Sequence, residues 1–331
     1  MRFADLEAAR VAVWGAGREG RAAVAALRAR LPLKRFAVIC RTQEVGELTA
    51  DGEPPDVITT EPDAELLRRF DVVVKSPGIS PYKPPVPAAI AAGVRFVSGS
   101  ALWFAEHAGA RTIAVTGTKG KSTTTALVAH LLRAAGRRVA LCGNIGVPLL
   151  DLLDPPREPD WWVMELSSFQ IRDLGAVPEI AVVLGVFPEH LDWHGTFERY
   201  AADKLSLLGG PGKRPRASVL NREFLPPGVR LPEAGAQAFG DADGWHVDVD
   251  GIRRGATLVL PWSAIALPGR HNALNLCAAL TAVEAAGEDA AALAPSVASF
   301  RALPHRLQVL GERDGLTWVN DSIATNPHAT L

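Results

Sequence analysis

Two short stretches constrain this chain more than anything else in it. RVAVWGAGREG (10–20) and RTIAVTGTKGKSTTT (111–125) each run from an apolar strand into a glycine loop and then into a helix. A chain that leaves a strand through a helix returns most readily to a parallel neighbour, because a parallel pair needs a crossover and the helix supplies it. Strand–helix alternation continues behind each stretch. After the first, REGRAAVAALRAR reads as a helix, RFAVICRT, DVITT and DVVVKSPGI as strands, PAAIAAG as a helix and VRFVSGS as a strand. After the second come the helix KSTTTALVAHLLRAAG, with Gly136 just past its end, and the strands RRVALCG, DWWVMELSS and EIAVVLGVF. FERYAADKLSLLGG is a helix, ASVLN a strand, and HNALNLCAALTAVEAAG a helix closing at Gly287. GWHVDVDGIRRGATLVL reads as one hairpin turning at Asp250 and Gly251.

A chain of 331 residues suits two domains and part of a third at ~150 residues each. The expected architecture is α/β: a Rossmann-like domain over 1–108, a P-loop NTPase-like central domain over 109–298, and the beginning of a third over 299–331. That last segment holds two strands, RLQVLGE and LTWVND, too little to bury a core alone. The net charge of −1 leaves no basic footprint for nucleic acid. Cys40, Cys142 and Cys277 have neither metal nor disulfide spacing, which fits a reducing compartment. The start, MRFADLEAAR, is not a signal peptide, and no apolar run reaches the ~18–20 residues of a membrane span. A cytoplasmic monomer is the expectation. No G-x-S-x-G or Ser-His-Asp arrangement is readable.

Gly15, Gly17 and Gly20 match G-x-G-x-x-G, where glycines admit a pyrophosphate to the backbone and the helix start favours its charge. A nicotinamide cofactor would want an acid at the end of the second strand, but Cys40, Arg41 and Thr42 stand there. Another diphosphate ligand, with Arg41 suited to an anionic group, and a purely structural turn remain open. In TGTKGKSTTT the glycines are closer than in the usual phosphate loop: Gly117, Thr118, Lys119, Gly120, Lys121, Ser122, Thr123. The chemistry survives the shortening. Backbone N–H groups point inward, Lys121 reaches the β- and γ-phosphates of a triphosphate, and Ser122 can bind Mg²⁺. Glu165 closes the strand WWVMELSS, where a carboxylate could meet the same ion or stand as a solvated edge acid. His190, Asp192 and His194 follow a strand at spacings that allow metal or phosphate contact, as loop histidines do by chance too. Lys204 alone is an ordinary surface lysine. Asn272 reads as a helix cap and Trp161 and Trp162 as core.

Taken in order, TGTKGKSTTT, GNIG (143–146), ELSSFQI, PEHLDWHG, YAADK, GRHNALNLCAAL, LPHRLQ and NDSIATNP resemble the Mur ligases, ATP-dependent amide-bond synthetases of peptidoglycan assembly. KSPGIS and ELSSFQ are most similar to the branch that adds D-glutamate to UDP-N-acetylmuramoyl-L-alanine. The resemblance implies a UDP cradle in the first glycine loop (Gly15, Gly17, Arg18, with Arg41), and Ser76, Pro77 and Gly78 against the uridine. It implies Asn144, Ser167 and Gln170 along the sugar-peptide, Asn275 at adenine, and Arg306 and Asp321 on the nucleotide. Ser122 and Glu165 would hold one Mg²⁺, and His190 with a CO₂-carbamylated Lys204 a second, leaving Lys121, Glu165, His190 and Lys204 as the catalytic set. The implied partners are the UDP precursor, D-glutamate and ATP. Alternatives are another Mur ligase step, a folate polyglutamate synthetase, a dehydrogenase resting on the first loop alone, or a non-catalytic nucleotide-binding fragment. Two departures stand out. Ile323 replaces the lysine of N-D-S-K-A-T-N, although Thr325 remains, and the chain ends at Leu331 inside the third domain, so weak ligation by this chain alone is expected.

Overall fold

The structure is a computed structural model that describes residues 1–48, 56–210, 212–221, 224–225, 235–265, 267–301, 303 and 308–320. Two parallel sheets dominate it. The first is built from β1 (Val11–Trp14), β2 (Ala37–Ile39), β3 (Asp56–Ile58), β4 (Val72–Lys75) and β5 (Arg95–Val97), in the order β3-β2-β1-β4-β5. β1 pairs in parallel with β2 (Ala12 opposite Ala37) and with β4 (Ala12 opposite Val73). Val, Ile and Ala dominate the inner strands β1, β2 and β4, and all residues of β2 and β4 are buried.

The second sheet contains β6 (Thr112–Thr116), β7 (Val139–Gly143), β8 (Trp161–Glu165), β9 (Ile180–Val183), β10 (Ala217–Leu220) and β11 (Ala236–Ala238). Its order is β11-β10-β9-β6-β8-β7. In both sheets the strand that feeds a glycine loop lies inside the sheet: β1 between β2 and β4, β6 between β9 and β8. Those are the positions where strand order reverses and where open α/β sheets leave a crevice. These architectures are the Rossmann-like and P-loop NTPase-like units expected from the sequence.

Helices form where the sequence starts and stops them. Arg18–Arg30 begins straight from the loop residue Gly17, and Lys121–Ala134 ends before Gly136, whose φ of +77° suits a residue without Cβ. Ser98 caps Gly99–Glu106 by accepting from Ala101 N at 3.1 Å. Lys121–Ala134 and Arg270–Ala285 lie together on one face of the second sheet, around Leu127, Leu131, Leu276 and Leu280. A second core is continuous between the sheets: Trp103 from the first unit meets the Trp162 ring edge-on at 4.7 Å between centroids. Trp161 and Trp162 are both core residues.

The segment read as one hairpin is a three-stranded meander, β12 (Trp245–Val247), β13 (Gly251–Arg254) and β14 (Thr257–Pro261). Gly255, at φ +57°, makes a second turn that the alternation of RRGATLVL concealed. β15 (Gln308–Arg313) and β16 (Leu316–Asn320) pair antiparallel and leave Leu310, Leu316 and Trp318 exposed. Sequence reading also passed over the short strand β11 and the one-turn helices Ser168–Arg172 and Leu191–His194. Among the described residues no helix is long and apolar enough to cross a membrane.

Candidate active site

The phosphate loop leaves β6 at Gly117, whose φ of +152° and position against Leu184 both demand glycine: a Cβ there would lie 2.6 Å from Leu184 Cβ. Gly120, at φ +83°, lets the helix Lys121–Ala134 start against Asn275, whose Oδ1 would stand 2.3 Å from an added Cβ. Asn275, expected at adenine, therefore borders the loop itself. Asn272 is not the cap of its helix. Gly269 holds that position, and Asn272 donates back to Pro268 O at 2.7 Å.

Lys121 Nζ donates to the carbonyls of Thr118 (2.9 Å) and Gly117 (3.1 Å), so its charge sits over the loop. Ser122 Oγ donates to Glu165 Oε2 at 2.6 Å. The register explains the meeting: Val115 of β6 lies opposite Glu165 of β8, so the loop and the acid leave adjacent strand ends. Glu165 is 1% exposed, and its other oxygen accepts from Asn144 Nδ2 at 2.7 Å. It is therefore no solvated edge acid. A buried carboxylate survives when hydrogen bonds replace its water.

Lys204 overturns the surface reading that its position alone suggests. It is 2% exposed on the helix Phe197–Leu205, lies over the Tyr200 ring at 4.9 Å and donates to Gly117 O at 2.9 Å. Burial, then the nearby charge of Lys121, pushes its pKa well below the usual lysine range, while Glu189 and Glu165 pull the other way. His190 stands at φ +54° and its pKa is lowered, chiefly by burial and then by Lys204 and Lys121 against Glu189. Lys119 pairs with Glu189 at 2.7 Å, and Thr118 Oγ1 lies 2.8 Å from the Tyr200 hydroxyl. Lys121, Glu165, His190 and Lys204 thus share one electrostatic neighbourhood. Asp192 is exposed, and His194 is fully buried on Asp203 and Ser168. Among the described residues no group of three or more His, Cys, Asp and Glu gathers as a metal site.

The first loop reaches toward this neighbourhood. Gly15, at φ +98°, and Gly20 close the loop-to-helix crossing, where a Cβ on Gly20 would stand 1.8 Å from Gly15 O. Ser76 Oγ lies 3.5 Å from Gly15 O, beside Pro77 and Gly78, while Arg41 is exposed at the end of β2. Arg18 turns across to the second unit and donates to the carbonyls of Asn144 (3.0 Å), Gly146 (3.1 Å) and Gly143 (3.3 Å). Ser167 and Gln170 form a reciprocal capping box, and Gln170 Nε2 donates to Glu19 at 3.2 Å. Burial raises the pKa of Glu19. Arg306 and Asp321 lie outside the described residues, as do Ile323 and Thr325. Sequence reasoning missed Tyr200, Glu189, Asp203 and Tyr82. The motif YAADK contains two of them, but only packing shows which of its residues point inward.

Comparison with known proteins bears on the fold and the family. Residues 115–226 match the model of the Mur ligase middle domain. The chain is 52% identical to UDP-N-acetylmuramoyl-L-alanine–L-glutamate ligase of Xanthomonas axonopodis pv. citri and 53% to that of Xanthomonas euvesicatoria, across 100% of this chain and 72% of each relative. A Micromonospora ligase of the same name is 43% identical over 100% of this chain and 74% of its own length. Among solved structures, a UDP-N-acetylmuramate:L-alanyl-γ-D-glutamyl-meso-diaminopimelate ligase from Neisseria meningitides shares the fold (TM-score 0.58, 21% identity, 89% of this chain and 99% of that one). So does the UDP-N-acetylmuramate–alanine ligase of Thermotoga maritima (TM-score 0.57, 19% identity, 97% and 75%). The chain belongs to the Mur ligase family, the ATP- and magnesium-dependent amide-bond-forming ligases of peptidoglycan synthesis.

Proposed function

We propose that this chain joins glutamate to the alanyl carboxyl of UDP-N-acetylmuramoyl-L-alanine in the cytoplasm, with the UDP part on the residues before 109, ATP on 109–298, and 299–331 opening a third domain. The observation that carries the reading is the chain of contacts from Arg18 to residues 143–146, from Asn144 to Glu165, and from Glu165 to Ser122. It supports one track that leads from a diphosphate loop to a triphosphate loop. The motifs SPGI and ELSSFQ are those of the D-glutamate branch, whereas the relatives at 52–53% identity carry L-glutamate in their names. We take L-glutamate for this chain, because likeness along the whole chain outweighs short motifs that related branches share.

In this reading the alanyl carboxylate attacks the γ-phosphorus of ATP, ADP leaves, and the amine of glutamate displaces phosphate from the acyl phosphate. Two anions must approach, so Lys121 and the backbone N–H groups that open the helix Lys121–Ala134 lower the barrier by opposing the charge that builds up. Ser122 and Glu165 offer the hard oxygen donors that suit one Mg²⁺, which would supply further charge neutralisation. Lys204, held toward its neutral form by burial, is chemically able to take up CO₂. A carbamate there would be an oxygen donor beside His190 for a second ion. Asn144 and Gln170 orient the sugar-peptide, Ser76, Pro77 and Gly78 border the uridine with Arg41 near the anion, and Asn275 borders the adenine. The motifs LPHRLQ and NDSIATNP assign Arg306 and Asp321 to the nucleotide by resemblance alone.

Calorimetric titration of this chain with UDP-N-acetylmuramate, its L-alanyl form and its dipeptide form tests the assignment. The L-alanyl form is expected to bind tightest. Absence of binding by all three removes the first loop as a UDP site. With the chain extended to its relatives' length, ADP release stimulated by L- but not D-glutamate supports the configuration proposed, and the reverse preference overturns it.

A further inference from the structure

The residues after Ser76 make a connection that the reaction scheme above does not use. Segment 76–82 leaves β4 beside Gly15 and ends on Tyr82, whose hydroxyl lies 2.7 and 2.9 Å from the two carboxylate oxygens of Asp203. Arg172 Nε donates to the same hydroxyl oxygen at 2.7 Å, which leaves the tyrosine proton for Asp203. His194 Nδ1 meets Asp203 Oδ2 at 2.7 Å, and His194 Nε2 rests 3.0 Å from Ser168 Oγ. The segment is also gripped midway. Ser80 Oγ donates to Trp193 O at 2.7 Å, and Trp193 Nε1 donates to Gly78 O at 3.1 Å.

Asp203 precedes Lys204 on the helix Phe197–Leu205. Neighbouring side chains on a helix point ~100° apart, so pinning one sets the roll of the helix and the direction of the next. Asp203 is 7% exposed and Lys204 2%, so both side chains are largely shielded from water and depend on protein partners. We infer that segment 76–82 is a strap coupling the first glycine loop to Lys204, with Tyr82 as the positioning residue that acts through Asp203. The inference rests on the reading of Lys204 as an active-site lysine.

The test is Tyr82→Phe, which removes the hydroxyl and keeps a ring within reach of Arg172 and Arg199. Binding of the L-alanyl UDP precursor to this chain is expected to stay at the parental value. The carbamate carbon signal after equilibration with ¹³C-bicarbonate is expected to weaken. In the chain extended to its relatives' length, kcat should fall roughly 10–100-fold with KM for the precursor unchanged, the scale of a small misplacement. Asp203→Asn should do the same, and the double variant should lose no more than the worse single one. A parental carbamate signal together with a parental kcat in Tyr82→Phe overturns the strap. If the parent shows no carbamate signal, the carbamate reading of Lys204 falls instead, and kcat alone decides. A drop at constant KM upholds the strap and no drop overturns it. Should Tyr82→Phe fail to fold, Asp203→Asn carries the same comparison.

Discussion

At the scale of single residues, the site is defined by where charge is kept out of water. Lys121 holds its cation on two loop carbonyls, and Lys121→Ala removes the one loop cation aimed at them. Its kcat should fall on the order of 10²–10³-fold in steady-state assays, with the denaturation midpoint little changed. Lys204 behaves differently because its environment opposes its charge. Between its depressed folded pKa and the ordinary value of 10.5, the unfolded chain binds more protons than the folded one, so stability rises with pH across that window. Lys204→Met removes that slope, and Gly117 O still accepts from Lys121. The variant should be the more stable protein at pH 7, with an advantage that narrows toward pH 10. Urea titrations in CO₂-free buffer measure this, and parallel pH profiles would contradict it. Activity in the same variant should be lost, since a residue kept at a cost to stability is expected where function needs it.

At the scale of elements, the first glycine loop separates a glycine needed for packing from one needed for a ligand. Gly20 is in regular helix, but its missing Cβ makes room for Gly15 O. Gly20→Ala is expected to destabilise by ~1–3 kcal/mol through overpacking. Gly17 has φ −66° and nothing within 4 Å of an added Cβ. Gly17→Ala should therefore cost less than ~1 kcal/mol, a cap change only, yet weaken the UDP precursor if a diphosphate closes on that backbone. Thermal melting paired with calorimetry distinguishes the two. Equal effects of both substitutions on stability would refute the division of roles. The helix Ser168–Arg172 makes the same point about capping: Ser167 fixes its start, and Gln170 extends from it to Glu19 of the first unit.

At the scale of the whole molecule, the two units meet through polar groups as well as a shared core. Lys75 of β4 and Asp173 form an ion pair of 2.5 Å whose side chains are 1% and 11% exposed. Removing one partner strands the other charge, so Lys75→Ala should cost ~3–5 kcal/mol, while Lys75→Met with Asp173→Leu should recover most of it. Denaturant titrations of the three proteins test this, and an unrecovered double variant would show that the pair is worth more than its shape. The exposed Leu310, Leu316 and Trp318 of β15 and β16 belong to this scale too, as apolar surface that the described part of the chain does not cover.

Much of this protein was legible from its sequence because the signals are local. Glycine loops between strand and helix, a lysine and a hydroxyl at a helix start, and an acid at a strand end are written within a few residues of one another. Their chemistry depends on backbone geometry that those residues themselves impose. The helices Arg18–Arg30 and Lys121–Ala134 follow from such signals, as does Glu165 beside Ser122. The turn at Gly255 escaped because its flanks alternate like a single strand. Lys204 could not be read as buried from the sequence, nor Arg18 as a bridge to residues 143–146, nor Tyr82 as the partner of Asp203. Each of these pairings joins positions far apart in the chain, and no periodicity encodes the partner of a side chain. The sequence by itself determined two parallel sheets, two phosphate-type loops and the chemistry of the second. Only the tertiary structure decided which charges share a desolvated neighbourhood, because burial and long-range contact arise only once the sheets have packed.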